Sequence, residues 1–287
     1  VTAVAAVLPD GRLHLQHGPI DCLCRAWGEP DQVARAYAQA AEAFPAVLPT
    51  LCAEFPTLRA KLPSLPPQGE VAIAMHAACA PFADRFITPM AAVAGAVADH
   101  MLAAMLHDTR LARAFVNDGG DIAFHLAAGE TLRCGMVADL AAPALDAVMM
   151  LTADQPARGI ATSGRACKGR GGRSFSFGIA DAVTVLARTA AQADAAASVI
   201  ANAVDLPGHP AIRRRAAADI DPDSDLGARL VTWDVGKLSA SEIDAALDAG
   251  CSVAEGLRRV GLIVGAALAL GGRLRLAMAS SLAGNLS

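Results

Sequence analysis

Apolar and polar positions change their period several times along the chain. Residues 1–8 and 12–16 alternate on either side of Pro9-Asp10-Gly11, which predicts a β-hairpin. Glu29-Pro30-Asp31 then supplies a helix start with proline in the first turn, and apolar residues recur at helical spacing from Val33 to Phe44. Pro45 is expected to end this helix, and residues 46–62 to form a second. The rigid connector Leu65-Pro66-Pro67-Gln68-Gly69 leads to Val71–Met75, which reads as a strand. Residues 88–106, TPMAAVAGAVADHMLAAML, predict a long helix rich in small side chains. Glycine inside a helix costs roughly 1 kcal/mol relative to alanine, so Gly95 implies that a helix or a ligand approaches the backbone there.

Short β-type runs follow at 112–116, 122–126, 131–136, 147–151, 160–163, 174–177 and 182–187. Helices are then predicted at 189–203 and 212–218, a strand at 228–233, a helix at 239–249 stopped by Gly250, a buried apolar segment at 260–270 and a strand at 274–277. Helices and strands come in blocks instead of strict alternation, which predicts an α+β fold and argues against a Rossmann-like sheet.

Composition narrows the function. With 54% hydrophobic and 18% charged residues the chain suits a packed core and not a disordered polymer. A net charge of -4 gives no general attraction to polyanions, so nucleic acid is not an expected partner and phosphate recognition must be local. The opening VTAVAAVLPDGRLHLQ has no basic region followed by a long apolar core, and the 260–270 run is too short to span a bilayer, so a cytoplasmic protein without membrane insertion is expected. Seven scattered cysteines suggest reduced, mostly buried thiols. Cys22-Leu23-Cys24 has no partner pair at zinc-site spacing.

Three constellations could carry chemistry. In Asn117-Asp118-Gly119-Gly120-Asp121, glycine allows close approach and Asp118 or Asp121 could orient a polar ligand; a tight hairpin with a capping side chain explains the same letters. Ala161-Thr162-Ser163-Gly164-Arg165, with Lys168, Arg170, Arg173 and Ser174-Phe175-Ser176 beyond it, joins free amides, hydroxyls and cations in the way a phosphate or carboxylate needs, or forms a solvated loop. Asp194 and Ser198 lie one helical turn apart and could present a carboxylate and a hydroxyl to a hard cation such as magnesium; as a pair they are also commonplace. The lone histidines, His76, His100, His107 and His125, match no metal or triad spacing and read as structural.

Taken in order, these segments resemble the ApbE superfamily of flavin transferases. Thr88–Asp99 resembles its glycine-bearing helix, Gly119–Asp121 its Gly-Gly-Asp turn, Ala161–Gly164 its Ala-Thr-Ser-Gly strand, and Val183–Val185 with Ala193–Ser198 its Val-Thr-Val strand and Ala-Asp-Ala helix. The resemblance covers roughly residues 85–205 and is nearest to an uncharacterised bacterial and archaeal branch. It implies one ApbE-like, T-fold-related domain over residues 1–287, with antiparallel sheets packed against helices. It also implies magnesium held by the Ala91 carbonyl, Asp194 and Ser198. FAD or another anionic cofactor would contact Thr88, Gly95, Asp121, Thr162, Ser163, Gly164, Arg165, Arg173, Ser174 and Ser176. The chain departs from the family in carrying Thr88 for an acidic residue, Ala94 for Lys or Glu, and no histidine in 174–181. The implied activity is group transfer or phosphate hydrolysis on a small anionic ligand. A non-catalytic flavin or pterin binding or assembly protein is the alternative, and a homo-oligomer packed through helix 88–106 is a third expectation.

Overall fold

The computed structural model describes residues 2–136, 147–165 and 175–278. By their contacts the residues form two compact units, each discontinuous in sequence: Val1–Leu132 with Leu151–Ala161 and Ala187–Ala195, and Arg133–Met150 with Thr162–Leu186 and Ala196–Ser287. In chain order the elements are β1 (Val4–Val7), β2 (Leu13–His17), β3 (Ile20–Gly28), α1 (Pro30–Ala53), α2 (Phe55–Leu58), α3 (Glu70–Cys79), α4 (Val93–Leu106), β4 (Leu111–Asp118) and β5 (Asp121–Leu126). They continue with β6 (Thr131–Met136), β7 (Ala147–Thr152), β8 (Gly159–Ser163), β9 (Ala182–Ala187), α5 (Ala190–Ala203), β10 (Ile212–Ala216), β11 (Leu230–Val235), α6 (Ala240–Arg259), β12 (Gly265–Leu270) and β13 (Arg273–Met278). The fold is α+β, with helices on antiparallel sheets, as the blocks of periodicity predict.

The first unit carries the antiparallel run β1-β2-β3-β4-β5-β8. Leu13 and Leu15 of β2, and Cys22, Cys24 and Ala26 of β3, alternate inward, which is why these strands hold register over a buried face. α1 and α4 pack together, and α4 lies against β4 and β5. α1 does not end at Pro45: it runs through both Pro45 and Pro49. An interior proline costs about 3 kcal/mol, and the buried side chains Phe44, Val47 and Leu51 offset that by anchoring the turns on either side. α3 replaces the strand expected at 71–75; Val71, Ala72, Met75, Ala78 and Cys79 are buried at helical spacing.

In the second unit β12 pairs with β9 and β13, and α6 covers β12 and β13. All of β12 is buried, so the buried segment expected at 260–270 is found from Gly265 onward, whereas Val260 at its start is 71% exposed. α6 continues past Gly250 to Arg259. A Cβ at Gly250 would lie 2.3 Å from a Val204 methyl, so this glycine answers packing and not termination. Residues 212–216 form a strand, not the expected helix, and pair with β11 as a two-stranded ribbon. Residues 175–177 are not in a strand; Ser174 lies outside the described residues.

Candidate functional site

In the first unit the polar chemistry gathers where α4 begins. Thr88 is buried and extended, Pro89–Ala92 form a single 3-10 turn, and the Ala91 N–H donates to the Thr88 carbonyl at 3.1 Å. The first amides of a helix have no partner within it. Here the Gly95 N–H donates to Asp194 Oδ2 at 3.2 Å, and the Ala94 amide also hydrogen-bonds that carboxyl. The exchange is reciprocal: the Ala190 and Ala191 N–H groups at the start of α5 donate to the Asp99 carboxyl at 3.0 and 2.9 Å. Each helix therefore caps the first amides of the other with a carboxyl group.

Gly95 explains how the two helices come so near. A Cβ there would sit 2.3 Å from the Ala190 carbonyl oxygen, so the approach that the helical glycine implied is that of a neighbouring helix. Gly159 at the start of β8 is as tightly placed, its absent Cβ falling 2.2 Å from the Ala190 nitrogen. The Asn117–Asp121 segment is a tight hairpin turn: Gly119 and Gly120 have φ of +62° and +113°, and Asn117 Oδ1 accepts from the Gly120 N–H at 2.8 Å. That turn places Asp118 opposite Asp121 at the end of the β4–β5 ladder, and both are buried.

The electrostatics follow from crowding. Asp194 retains some surface, yet loss of solvent around its carboxyl pushes its pKa well above the carboxylate range, and the like charges of Asp121 and Asp118 add to this against the pull of the Gly95 and Ala94 amides. Asp118 is pushed up to about 7, mainly by burial, while the Asp21 amide pulls it down and the Asp21 charge raises it. Asp99 is also raised by burial, opposed by the amides it caps. The Cys79 thiol is pushed up by burial and then by Asp194, and Cys22 and Cys24 are buried thiols of the same kind.

The structure thus brings together Gly95, Asp121 and Asp194 and sets Thr88 and Ala91 in the turn that leads into the same helix end. The remaining expected residues belong to the second unit or lie outside the described residues. Thr162 and Thr184 share a hydroxyl hydrogen bond of 2.9 Å. Ser163 is half-buried, and Gly164 has φ +126° with Asp181 and Ala180 carbonyls close by. The Arg165 N–H donates to the Ala180 carbonyl at 2.9 Å. The Ser176 hydroxyl is engaged inside the protein, donating to Asn202 Oδ1 and accepting from the Gly178 N–H, both at 3.1 Å. Ser198 follows Asp194 by one turn of α5 and is half-buried. Arg173 and Ser174, with Lys168 and Arg170, lie outside the described residues.

Asp99 was not among the expected site residues. Its signal was present: it follows Gly95 by four positions and so shares the helix face on which close approach was expected. The histidines are engaged elsewhere, His125 with the Leu111 carbonyl at 3.3 Å, His76 with the Ser64 carbonyl at 3.3 Å and His100 with Glu70 at 3.7 Å.

Residues 5–276 match a family model described as AbpE bacteria. The chain is also similar to proteins named UPF0280 protein. That of Methanoregula boonei is 34% identical over 155 residues, which are 51% of this chain and 60% of the relative. For Methanothrix thermoacetophila the figures are 34% over 148 residues, 52% and 58%, and for Methanosphaerula palustris 40% over 121 residues, 41% and 47%. In each case the match spans less than two thirds of the relative's own length.

Proposed function

Because the chain belongs to the AbpE bacteria family, we propose that it binds a phosphorylated or carboxylated cofactor-like ligand with magnesium and acts in the manner of the ApbE flavin transferases, by group transfer or hydrolysis at a phosphate. The observation that carries this reading is the crowding of Asp118, Asp121 and Asp194, whose mutual repulsion a divalent cation would relieve. Among the described residues no three His, Cys, Asp or Glu side chains converge as a ready-made metal cage. Magnesium would be held through a single carboxylate, with its shell completed by water, carbonyls and substrate phosphate. Asp194 would hold it, with the Ala91 carbonyl of the same unit as a further donor. Bound there, magnesium would stabilise charge developing on a phosphoryl oxygen.

The chain's own part is orientation. Asp194 is fixed by the Gly95 and Ala94 amides at the amino end of α4. In the second unit, taken by itself, Arg165 and Ser163 are proposed to bind an anionic group, with FAD as the first candidate. A second reading, a flavin or pterin binding or assembly protein without turnover, is favoured by Thr88, which is buried and neutral where the flavin transferases are acidic. A cytoplasmic location is proposed with both readings.

Incubation with FAD and magnesium, followed by chromatography for FMN and AMP, tests the reading. Release that depends on magnesium and is lost in Asp194→Asn supports it. Saturable binding of FAD without release selects the second reading, and neither release nor binding overturns both.

A further inference from the structure

We infer that the β10–β11 ribbon of the second unit is a binding site for a phosphate ester carrying a planar aromatic ring, of mononucleotide size. Its three consecutive arginines have separate tasks. Arg214 turns inward, where Nη2 donates to both Asp205 carboxylate oxygens at 2.6 and 2.7 Å and Nη1 donates to the Phe177 carbonyl and, at 3.3 Å, to Thr232 Oγ1. The Thr232 N–H donates to the Ser176 carbonyl at 2.9 Å, so the ribbon is pinned on its inner side. Arg213 and Arg215 remain on the solvent face.

On that face the Arg215 guanidinium lies 4.6 Å from the centre of the Trp233 ring, and Trp233 is 50% exposed. A half-exposed indole with a cation already stacked on it is a prepared surface for a second flat, electron-rich group. Arg213, Arg214, Arg215, Trp233 and Asp234 line an open surface depression of about 610 Å³. Among the described residues no carboxylate pairs with Arg215, whereas Arg213 Nε donates to Asp234 at 3.0 Å. Arg213, and at longer range Arg165, hold the Asp234 carboxyl below its usual range, so Asp234 stays ionised and occupies Arg213 until a stronger anion displaces it.

A phosphate bridging Arg213 and Arg215 and a ring over Trp233 use every feature of the ribbon. Inorganic phosphate leaves the indole unused. A nucleic-acid strand needs successive stacking platforms along a cationic groove, and the ribbon offers one indole on a chain of net charge -4. Arg165 is the one residue shared with the function proposed above; the ribbon needs neither the metal nor turnover.

Calorimetric titration of the whole chain in metal-free, low-salt buffer with AMP, ribose 5-phosphate, adenosine and inorganic phosphate is the test. AMP is expected to bind at least roughly tenfold more tightly than the other three. Arg215→Ala should weaken AMP by about tenfold, and Trp233→Ala should lower AMP to the affinity of ribose 5-phosphate while leaving ribose 5-phosphate unchanged. Asp234→Asn should tighten AMP, and Asp194→Asn should not change it. Equal affinity for AMP and ribose 5-phosphate, or indifference of AMP to both Arg215→Ala and Trp233→Ala, overturns the assignment. So does an oligonucleotide that binds far more tightly than AMP, which would make the ribbon a nucleic-acid surface.

Discussion

At Gly95 a missing methyl group decides how closely α4 can run beside the start of α5. Alanine would raise helix propensity by roughly 1 kcal/mol, but its Cβ would meet the Ala190 carbonyl at 2.3 Å, and overpacking of this kind typically costs 1–3 kcal/mol or more. Gly95→Ala is therefore expected to lower the urea midpoint; an unchanged or higher midpoint would contradict the close approach. Asp118 gives a pH-dependent test. Its folded pKa, about 7, stands above the unfolded value of 3.8, so the unfolded chain releases this proton first and the residue's effect on stability worsens as pH rises from 3.8 to about 7, then levels off. Asp118→Asn keeps an acceptor for the Asp21 amide and removes the charge. It should stabilise the protein more at pH 8 than at pH 4.5, measured by denaturant melts at each pH. Gly95 was legible in the sequence as a site of close approach, and Asn117–Asp121 as a turn. The pairing of Asp194 with the α4 amino end was not, because residues 99 positions apart in sequence meet only through the packing of two helices.

At the scale of elements, α6 carries the clearest local signature. Ser239 Oγ accepts from the Glu242 N–H at 3.3 Å, Glu242 returns a bond to the Ser239 N–H at 2.6 Å, and His209 joins at 2.9 Å. The Ser239 amide, then His209, hold the Glu242 carboxyl down at about 2 against 4.5 when unfolded. A depressed folded pKa gives stability that is complete above the unfolded value and is lost as pH falls toward 2. The destabilisation caused by Glu242→Gln should thus be largest near pH 6 and shrink by pH 3; equal values at the two pH values would show that the charge contributes nothing. Ser239→Ala should cost about 0.5–2 kcal/mol. Elements bounded by turn residues, such as β5, β6 and β9, were readable as short β-type runs. β10 was misread because Arg214, a charged side chain on the inner face, breaks the polar-out pattern of a strand and is tolerated through its bonds to Asp205, the Phe177 carbonyl and Thr232. α3 was misread because VAIAM is apolar on every side, which leaves no period to detect.

At the scale of the molecule, residues Pro89–Leu106 are long and apolar enough to cross a membrane by length and composition, yet half of that window is already buried inside the protein. Gly95, Ala96, Val97, Met101 and Met105 face protein, not solvent. The full chain is accordingly expected to stay in the supernatant on ultracentrifugation without detergent; sedimentation with added vesicles would contradict this assignment of the apolar face. Fold class was accessible from the order of elements, whereas the crowding of Asp118, Asp121 and Asp194 depends on folding. One consequence concerns what mutation can repair. The first peptide units of α5 are hemmed in by Gly95 on one helix and Gly159 on a strand, and in both places the obstructing atoms are main chain. Every amino acid brings that same main chain, so trimming a neighbouring side chain cannot make room. A suppressor search begun from Gly159→Ala should return revertants at 159 itself and no rescue from residues 189–191.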